Sequence, residues 1–232
     1  MKHKKIVINL DKRPDRYKTF LETYTLGDAE RFSGIEGQEK INSGDLTNFE
    51  QNFLEKLRNF GKNPPKQIPG VFGCWMSHYY VWETLKNDSE NDFYVIFEDD
   101  IRITEGFNEK IQEITENIDF SFDLYYLGGR FKPNFVPNNK NPWKKFWVGK
   151  QEVYYSTNKT VLDYDHDRGL FSYVITKPAA QKMVSLLNSY LIQFEGIAAV
   201  DGWINENRSL ISTADIFPHI TWSPANHNSD IR

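Results

Sequence analysis

"YVIFEDDIRI", residues 94–103, decides the fold. Tyr94 to Phe97 suit a buried strand, and the run passes directly into Glu98, Asp99 and Asp100 before apolar residues return at Ile101 and Ile103. Three adjacent carboxylates repel one another and lose hydration on burial, so a core strand that ends this way needs something to offset the cost. In open α/β sheets ligands bind beyond the carboxyl ends of the strands. Placed there, the acids point into a binding crevice, and a divalent cation supplies the missing compensation. Mg²⁺ and Mn²⁺ take oxygen ligands and bridge one or two carboxylates to substrate phosphates. An ordinary acidic turn with Arg102 as local partner competes with this reading; the buried strand in front of the acids sets the two level.

The rest of the chain supplies the sheet that this strand requires. "KKIVINL" (4–10) reads as a first buried strand. Pro14 suits a first helical position, Tyr17, Phe20, Leu21 and Tyr24 recur at helical spacing, and Gly27 ends the helix. "AERFSGIEG" (29–37) is a short second strand running into a loop, and Thr47 with Glu50 forms a capping box that opens a helix through about Phe60. "GKNPPKQIPG" (61–70) reads as a loop, and "VFGCWMSHYYVWETLK" (71–86) as a helix apolar nearly all round, hence buried. After the acids come a helix over 108–117 and a strand, "FDLYYLGG" (122–129), that ends in glycines. Residues 130–169 read as one long irregular loop, functional or mobile on grounds of length. "LFSYVITKPAAQKMVSLLNSY" (170–190) reads as a strand or short helix followed by a helix started by Pro178, and a helix and a strand close the chain within 196–220. Strands alternating with helices predict an α/β fold with a mostly parallel central sheet and flanking helices, as one domain over 1–232.

Charge and composition exclude several classes. Lys and Arg number 28 against 32 Asp and Glu, a net charge of −4 with no basic block, so nothing points to nucleic acid. Cys74 is the single cysteine and supplies neither a disulfide framework nor a cysteine-based zinc site. No apolar run is long enough to span a bilayer, and "MKHKKIVINL" lacks the apolar core of a signal peptide. The expectation is a cytoplasmic protein that reaches a membrane surface, if at all, through a partner. No P-loop, glycine-rich dinucleotide fingerprint or Ser-His-Asp motif occurs.

Other candidate residues sit near the same sheet edge. Asn9 and Asp11 end the first strand, and Arg13 and Arg16 follow; guanidinium forks suit phosphate, although a solvated helix start explains them equally. Ser77 and His78 lie within the buried helix, where a lone histidine is more often a satisfied core residue than a base. Asp201 opens "DGWINEN", with a helix N-cap as its plain role, and "DYDHD" (163–167) resembles a metal site in composition but sits in a polar loop.

These segments, in order, resemble glycosyltransferase family 25, which includes lipooligosaccharide β-galactosyltransferases and collagen galactosyltransferases. "VINLDKRPDR" is similar to the family's opening motif and "RFSGIEG" to the segment after its second strand. "GVFGCWMSHYYVWETL" resembles its Gly-x-x-Gly-Cys-x-x-Ser-His helix, "YVIFEDDIRI" its Glu-Asp-Asp core and "FDLYYLGG" the strand that follows. "SYVITKPAAQKMV", "VDGWI" and the closing "NSDI" complete the set, which runs from residue 5 to about 231. The departures are Ser33–Gly34 and the 130–169 loop, which faces the acceptor on this reading. The resemblance implies a GT-A-like, Rossmann-type fold, a UDP-sugar donor, Mn²⁺ or Mg²⁺, and inversion at the anomeric carbon. It implies an acceptor hydroxyl on a glycan, glycolipid or glycoprotein such as hydroxylysine. Glu98, Asp99 and Asp100 would then supply metal and ribose contacts, with Asp100 the firmest metal ligand. Asn9, Leu10, Arg13 and Arg16 would border the nucleotide, Ser77 and His78 would face the donor, Asp201 would be the base, and His219 would add a metal ligand or phosphate contact. Two other classes compete: a non-catalytic sugar-nucleotide or carbohydrate-binding module on the same fold, and a nucleotidyltransferase, disfavoured because residues 10–20 contain no glycine.

Overall fold

The computed structural model describes residues 1–24, 26, 28–61, 64–129, 143–156, 169–217 and 219–223. Its first half contains β1 (His3–Leu10), α1 (Pro14–Tyr24), β2 (Ala29–Gly34), α2 (Gly37–Ser43), α3 (Asn48–Asn59), a 3₁₀ turn (Pro65–Gln67) and α4 (Ile68–Asn87). The middle contains β3 (Phe93–Glu98), β4 (Arg102–Ile103), α5 (Phe107–Asn117), β5 (Leu124–Tyr126), β6 (Gly128–Gly129), β7 (Trp143–Val148) and β8 (Gln151–Ser156). β9 (Ser172–Thr176), α6 (Lys177–Gln193), α7 (Val200–Glu206), β10 (Thr213–Phe217) and β11 (Thr221–Trp222) follow.

The main sheet has the order β2-β1-β3-β9-β5-β10-β8-β7. β1 runs parallel to β2 and β3, β5 runs parallel to β10, and β9 lies antiparallel between β3 and β5. From β2 to β10 only β9 is reversed, so the α/β class with a mostly parallel central sheet and flanking helices, expected from the sequence, is the one observed. Alternating side chains sort to its two faces. Ile6, Ile8, Tyr94 and Ile96 join one core with α3, α4 and α6, whereas Val7, Phe93, Val95 and Phe97 join the other with α1 and α5. Burial on both faces is why these strands read as near-continuous apolar runs.

Local signals hold where they are strong. The Thr47–Glu50 capping box forms, with Glu50 N donating to Thr47 Oγ1 at 3.2 Å and Thr47 N to Glu50 Oε2 at 2.7 Å. α4 is buried nearly all round; Trp75 packs edge-on against Phe53, Trp82 and Trp203.

Three features differ from expectation. α4 begins at Ile68 rather than at residue 71, because Pro69 fits a first helical turn. Residues after Ile35, expected as loop, form α2, whose start touches α4 backbone to backbone: a Cβ on Gly37 would lie 1.8 Å from Pro69 O, and one on Gly73 would lie 2.5 Å from Ile35 O. Within the stretch expected to be irregular, β7 and β8 form a hairpin that extends the sheet beside β10. Its turn uses Gly149 at φ 58°, and the Lys150 amide donates to Glu113 Oε1 at 2.6 Å. Residues 130–142 and 157–168, including "DYDHD", lie outside the described residues.

A small sheet, β4-β11-β6, flanks the main one. The glycine ending of "FDLYYLGG" belongs to it: a Cβ on Gly128 would sit 2.1 Å from Thr221 O. Among the described residues no helix is long and apolar enough to cross a membrane.

Candidate active site

β3 delivers its acids to a fixed place. The Glu98 amide donates to Phe171 O at 2.8 Å, Asp99 and Asp100 form a turn, and Ile101 returns to the core, where its carbonyl accepts from Tyr24 Oη at 2.6 Å. The three carboxylates are half-buried and line an open cavity at the carboxyl ends of β1 and β3. Leu10 and Arg16 form one edge, Glu36 to Gln38 at the start of α2 another, and Lys66 with Gly73, Cys74, Ser77 and His78 of α4 the facing wall.

Asp99 is held from two sides. Asn9 donates to Asp99 Oδ2 at 2.6 Å, and Arg16 approaches Asp99 Oδ1 at 3.5 Å. Burial nevertheless raises the Asp99 carboxyl pKa; Asn9 and Arg16 oppose the rise, and the Asp100 charge adds to it. A carboxylate left in that state gains from a further positive charge, and the donor set Glu98, Asp99 and Asp100 is all oxygen, as Mn²⁺ and Mg²⁺ require. The residues present therefore fit such an ion.

The remaining expected residues divide into those that reach the cavity and those that brace it. Asn9 is buried and does not line the cavity; besides Asp99 it donates to Arg13 O at 2.8 Å and accepts from Arg31 Nε at 2.8 Å. Arg13 forks onto Asp15 at 3.1 and 3.0 Å rather than lining the cavity. Ser77 lines the wall, but its hydroxyl donates to Gly73 O at 2.7 Å and accepts from the Ile35 amide at 2.8 Å, tying α4 to the loop after β2. Asp201 lies in the first turn of α7, where Ala199 is the N-cap, and accepts from the Gly202 amide at 2.9 Å. It is outside the cavity lining, yet close enough that its charge acts on Cys74 and His78. His219 is buried between β10 and β11, and the structure does not bring it to the cavity wall.

His78 is the end of a buried relay. Trp82 Nε1 donates to Tyr173 Oη at 3.0 Å, Tyr173 Oη lies 2.8 Å from His78 Nδ1, and His78 Nε2 lies 3.4 Å from Glu98 Oε1. The donor order that serves every atom runs from indole N–H to phenol to Nδ1, which leaves Nε2–H to face Glu98. Burial lowers the His78 pKa to about 4, against a smaller upward push from Asp201, so the ring is neutral at pH 7. It orients Glu98 and contributes no charge to a phosphate.

Sequence reading missed Arg31, Trp82 and Tyr173. Arg31 carried a faint signal, a charged residue inside a short strand. Tyr173 and Trp82 carried none, since an aromatic in a buried strand or helix looks like any core residue.

Residues 2–204 match the family described as "Glycosyltransferase family 25 (LPS biosynthesis protein)". The chain is 25% identical over 192 residues to "Putative glycosyltransferase R655" of Acanthamoeba polyphaga mimivirus, covering 77% of this chain and 51% of that protein. It is 26% identical over 183 residues to "Procollagen galactosyltransferase 2" of Homo sapiens, covering 77% of this chain and 26% of that protein. It is also 28% identical over 128 residues to "Inactive glycosyltransferase 25 family member 3" of Homo sapiens, covering 53% of this chain and 21% of that protein. The matches thus span about half of the viral relative and about a quarter of the human galactosyltransferase. On the match over residues 2–204, the chain belongs to glycosyltransferase family 25.

Proposed function

We propose that this chain is a metal-dependent, inverting hexosyltransferase. It moves galactose or glucose from a UDP-sugar to a hydroxyl of a glycan, glycolipid or hydroxylysine-type acceptor, and it works in the cytoplasm. The observation that carries the reading is the gathering of Glu98, Asp99 and Asp100 at one cavity, with Arg16 paired to Asp99 at 3.5 Å.

Asp100 and Glu98 would hold Mn²⁺ or Mg²⁺, which would supply positive charge against the diphosphate of the donor and stabilise it as a leaving group. Asp99, fixed by Asn9 and Arg16, keeps the turn in place and offers a ribose contact. Arg16 adds a guanidinium at the phosphate end, and Leu10 and Ile35 give the cavity an apolar edge for the base. The neutral His78 fixes the Glu98 carboxylate in orientation. In the transfer step the acceptor oxygen forms a bond to the anomeric carbon from the face opposite the departing UDP, and the bond from that carbon to the UDP oxygen breaks. Asp201 takes the acceptor proton.

Thermal unfolding with UDP, with Mn²⁺ and with both, against ADP and GDP, tests the reading. A ligand at ~100 times its Kd stabilises by about 2.7 kcal/mol. The expected result is a rise in Tm with UDP that grows with Mn²⁺ and does not occur with ADP or GDP; no rise with any nucleotide overturns it. The inactive human relative favours one alternative, a non-catalytic module that binds a sugar nucleotide or carbohydrate. Donor binding without UDP-sugar hydrolysis or transfer would select it.

A further inference from the structure

Cys74 and His78 are four residues apart on α4, so they project from one face of the helix, one turn apart. Glu98, at the end of β3, faces them. One donor atom from each residue (Cys74 Sγ, a ring nitrogen of His78, a carboxylate oxygen of Glu98) lies within 4.8 Å of the other two. The 3.4 Å between His78 Nε2 and Glu98 Oε1 is close to the edge of a tetrahedral site. With metal–nitrogen and metal–oxygen bonds of about 2.0–2.1 Å, that edge is about 3.3 Å. Cys74 Sγ, within 4.8 Å of both, supplies the third corner. All three residues line the cavity, so the fourth corner opens into it. Behind the imidazole, Tyr173 Oη lies 2.8 Å from Nδ1 and is itself held by Trp82. Ligation through Nε2 takes the other neutral tautomer of the ion-free ring, with the proton moved to Nδ1 and donated to Tyr173 Oη, the kind of outer partner that fixes a metal-ligating histidine.

Sulfur, imidazole nitrogen and a single carboxylate make a donor set for zinc-class cations rather than for Mn²⁺ or Mg²⁺. We propose that Cys74, His78 and Glu98 form a binding site for a thiophilic divalent cation of the zinc class, beside the all-oxygen set at Asp99 and Asp100. The site stands on its own donor atoms and needs no glycosyl transfer to exist. Binding releases the Cys74 thiol proton to solvent and replaces it with the ion. Burial and the charges of Glu98, Asp201 and Asp100 disfavour the bare thiolate, and a dication reverses that electrostatic balance. Because Glu98 belongs to both donor sets, an ion here also withdraws it from the hard-cation set of the proposed function.

Cobalt(II) titration of the full chain, followed by absorption, is the test. Cys74 is the only cysteine, so a thiolate-to-cobalt charge-transfer band in the near ultraviolet reports this residue alone. The expected result is a band that saturates at one equivalent, disappears on addition of Zn²⁺, persists with equimolar Mn²⁺, and is lost in Cys74→Ser. Cobalt binding without a thiolate band, or a band that survives Cys74→Ser, overturns the proposal. Should that variant fail to fold, the wild-type spectrum still decides, since no second thiol exists. Tm shifts with UDP and Mn²⁺ are read separately, so failure of this site and failure of the donor site are distinguishable.

Discussion

Asp88 and Asp99 stand at opposite ends of β3 and live in opposite states. Asp88, at the C-cap of α4, accepts from the amides of Glu90 and Asn91 at 2.7 and 3.1 Å, from Asn91 Nδ2 at 2.8 Å and from Tyr94 Oη at 2.6 Å. Burial pushes its carboxyl pKa up, but these donors outweigh burial and bring it to about 2. At Asp99 burial also pushes up, and here Asn9 and Arg16 do not outweigh it. Both are acids beside the same strand. The difference lies in supply: the first is saturated by donors within six residues of it, while the second is left short inside a cavity. A saturated carboxylate holds a chain reversal together; a short-supplied one marks where a ligand completes the structure.

The comparison breaks most decisively at the cavity end. Asp201→Asn is expected to keep UDP binding near that of the wild type while transfer falls at least ~100-fold; weakened UDP binding with undiminished turnover would make Asp201 a donor contact instead. Asp100→Asn is expected to abolish the part of the UDP-induced Tm rise that depends on Mn²⁺. A variant that keeps it removes Asp100 from the metal set.

At the other end the effect is on stability. Asp88→Asn leaves part-buried donors mismatched and is expected to cost about 0.5–1.5 kcal/mol in urea unfolding. The same group shapes the acid limb. Its folded pKa is depressed, so its stabilisation is full above the ordinary carboxylate range and is lost as pH falls from that range toward about 2. The variant should lose stability less steeply there, and an unchanged slope would mean that Asp88 is not the acid responsible.

A last effect, of similar size, has the opposite sign. Asp99→Asn removes a poorly compensated buried charge, so the ligand-free chain is expected to gain about 0.5–2 kcal/mol at neutral pH, in the manner of other strained sites. A loss instead of a gain would mean that Arg16 and Asn9 do satisfy Asp99, and the contrast with Asp88 would collapse.

Much of the fold was legible. "KKIVINL" and "YVIF" declared their strands because apolar β-branched and aromatic runs of that length have few other places to go, and Thr47–Glu50 declared a helix start through two local hydrogen bonds. α2 stayed hidden because "GQEKINS" has no apolar stripe, and its place depends on Gly37 meeting Pro69 of α4. The hairpin of β7 and β8 stayed hidden because its partner, β10, lies some sixty residues further along the chain. At the site, the acid triplet could be seen in sequence; the bracing roles of Asn9 and Ser77 could not, since each side chain serves a backbone or carboxylate that only folding brings near.

By itself, then, the sequence determined which segments become strands and helices, and that three acids end a buried strand. Those properties depend on neighbours a few residues apart. Only tertiary structure decided which acid is saturated and which is left wanting, that His78 is neutral, and that Cys74, His78 and Glu98 meet. These depend on burial and on pairs far apart in the chain, Asn9 with Asp99 across 90 positions and His78 with Tyr173 across 95, whose meeting no local pattern records.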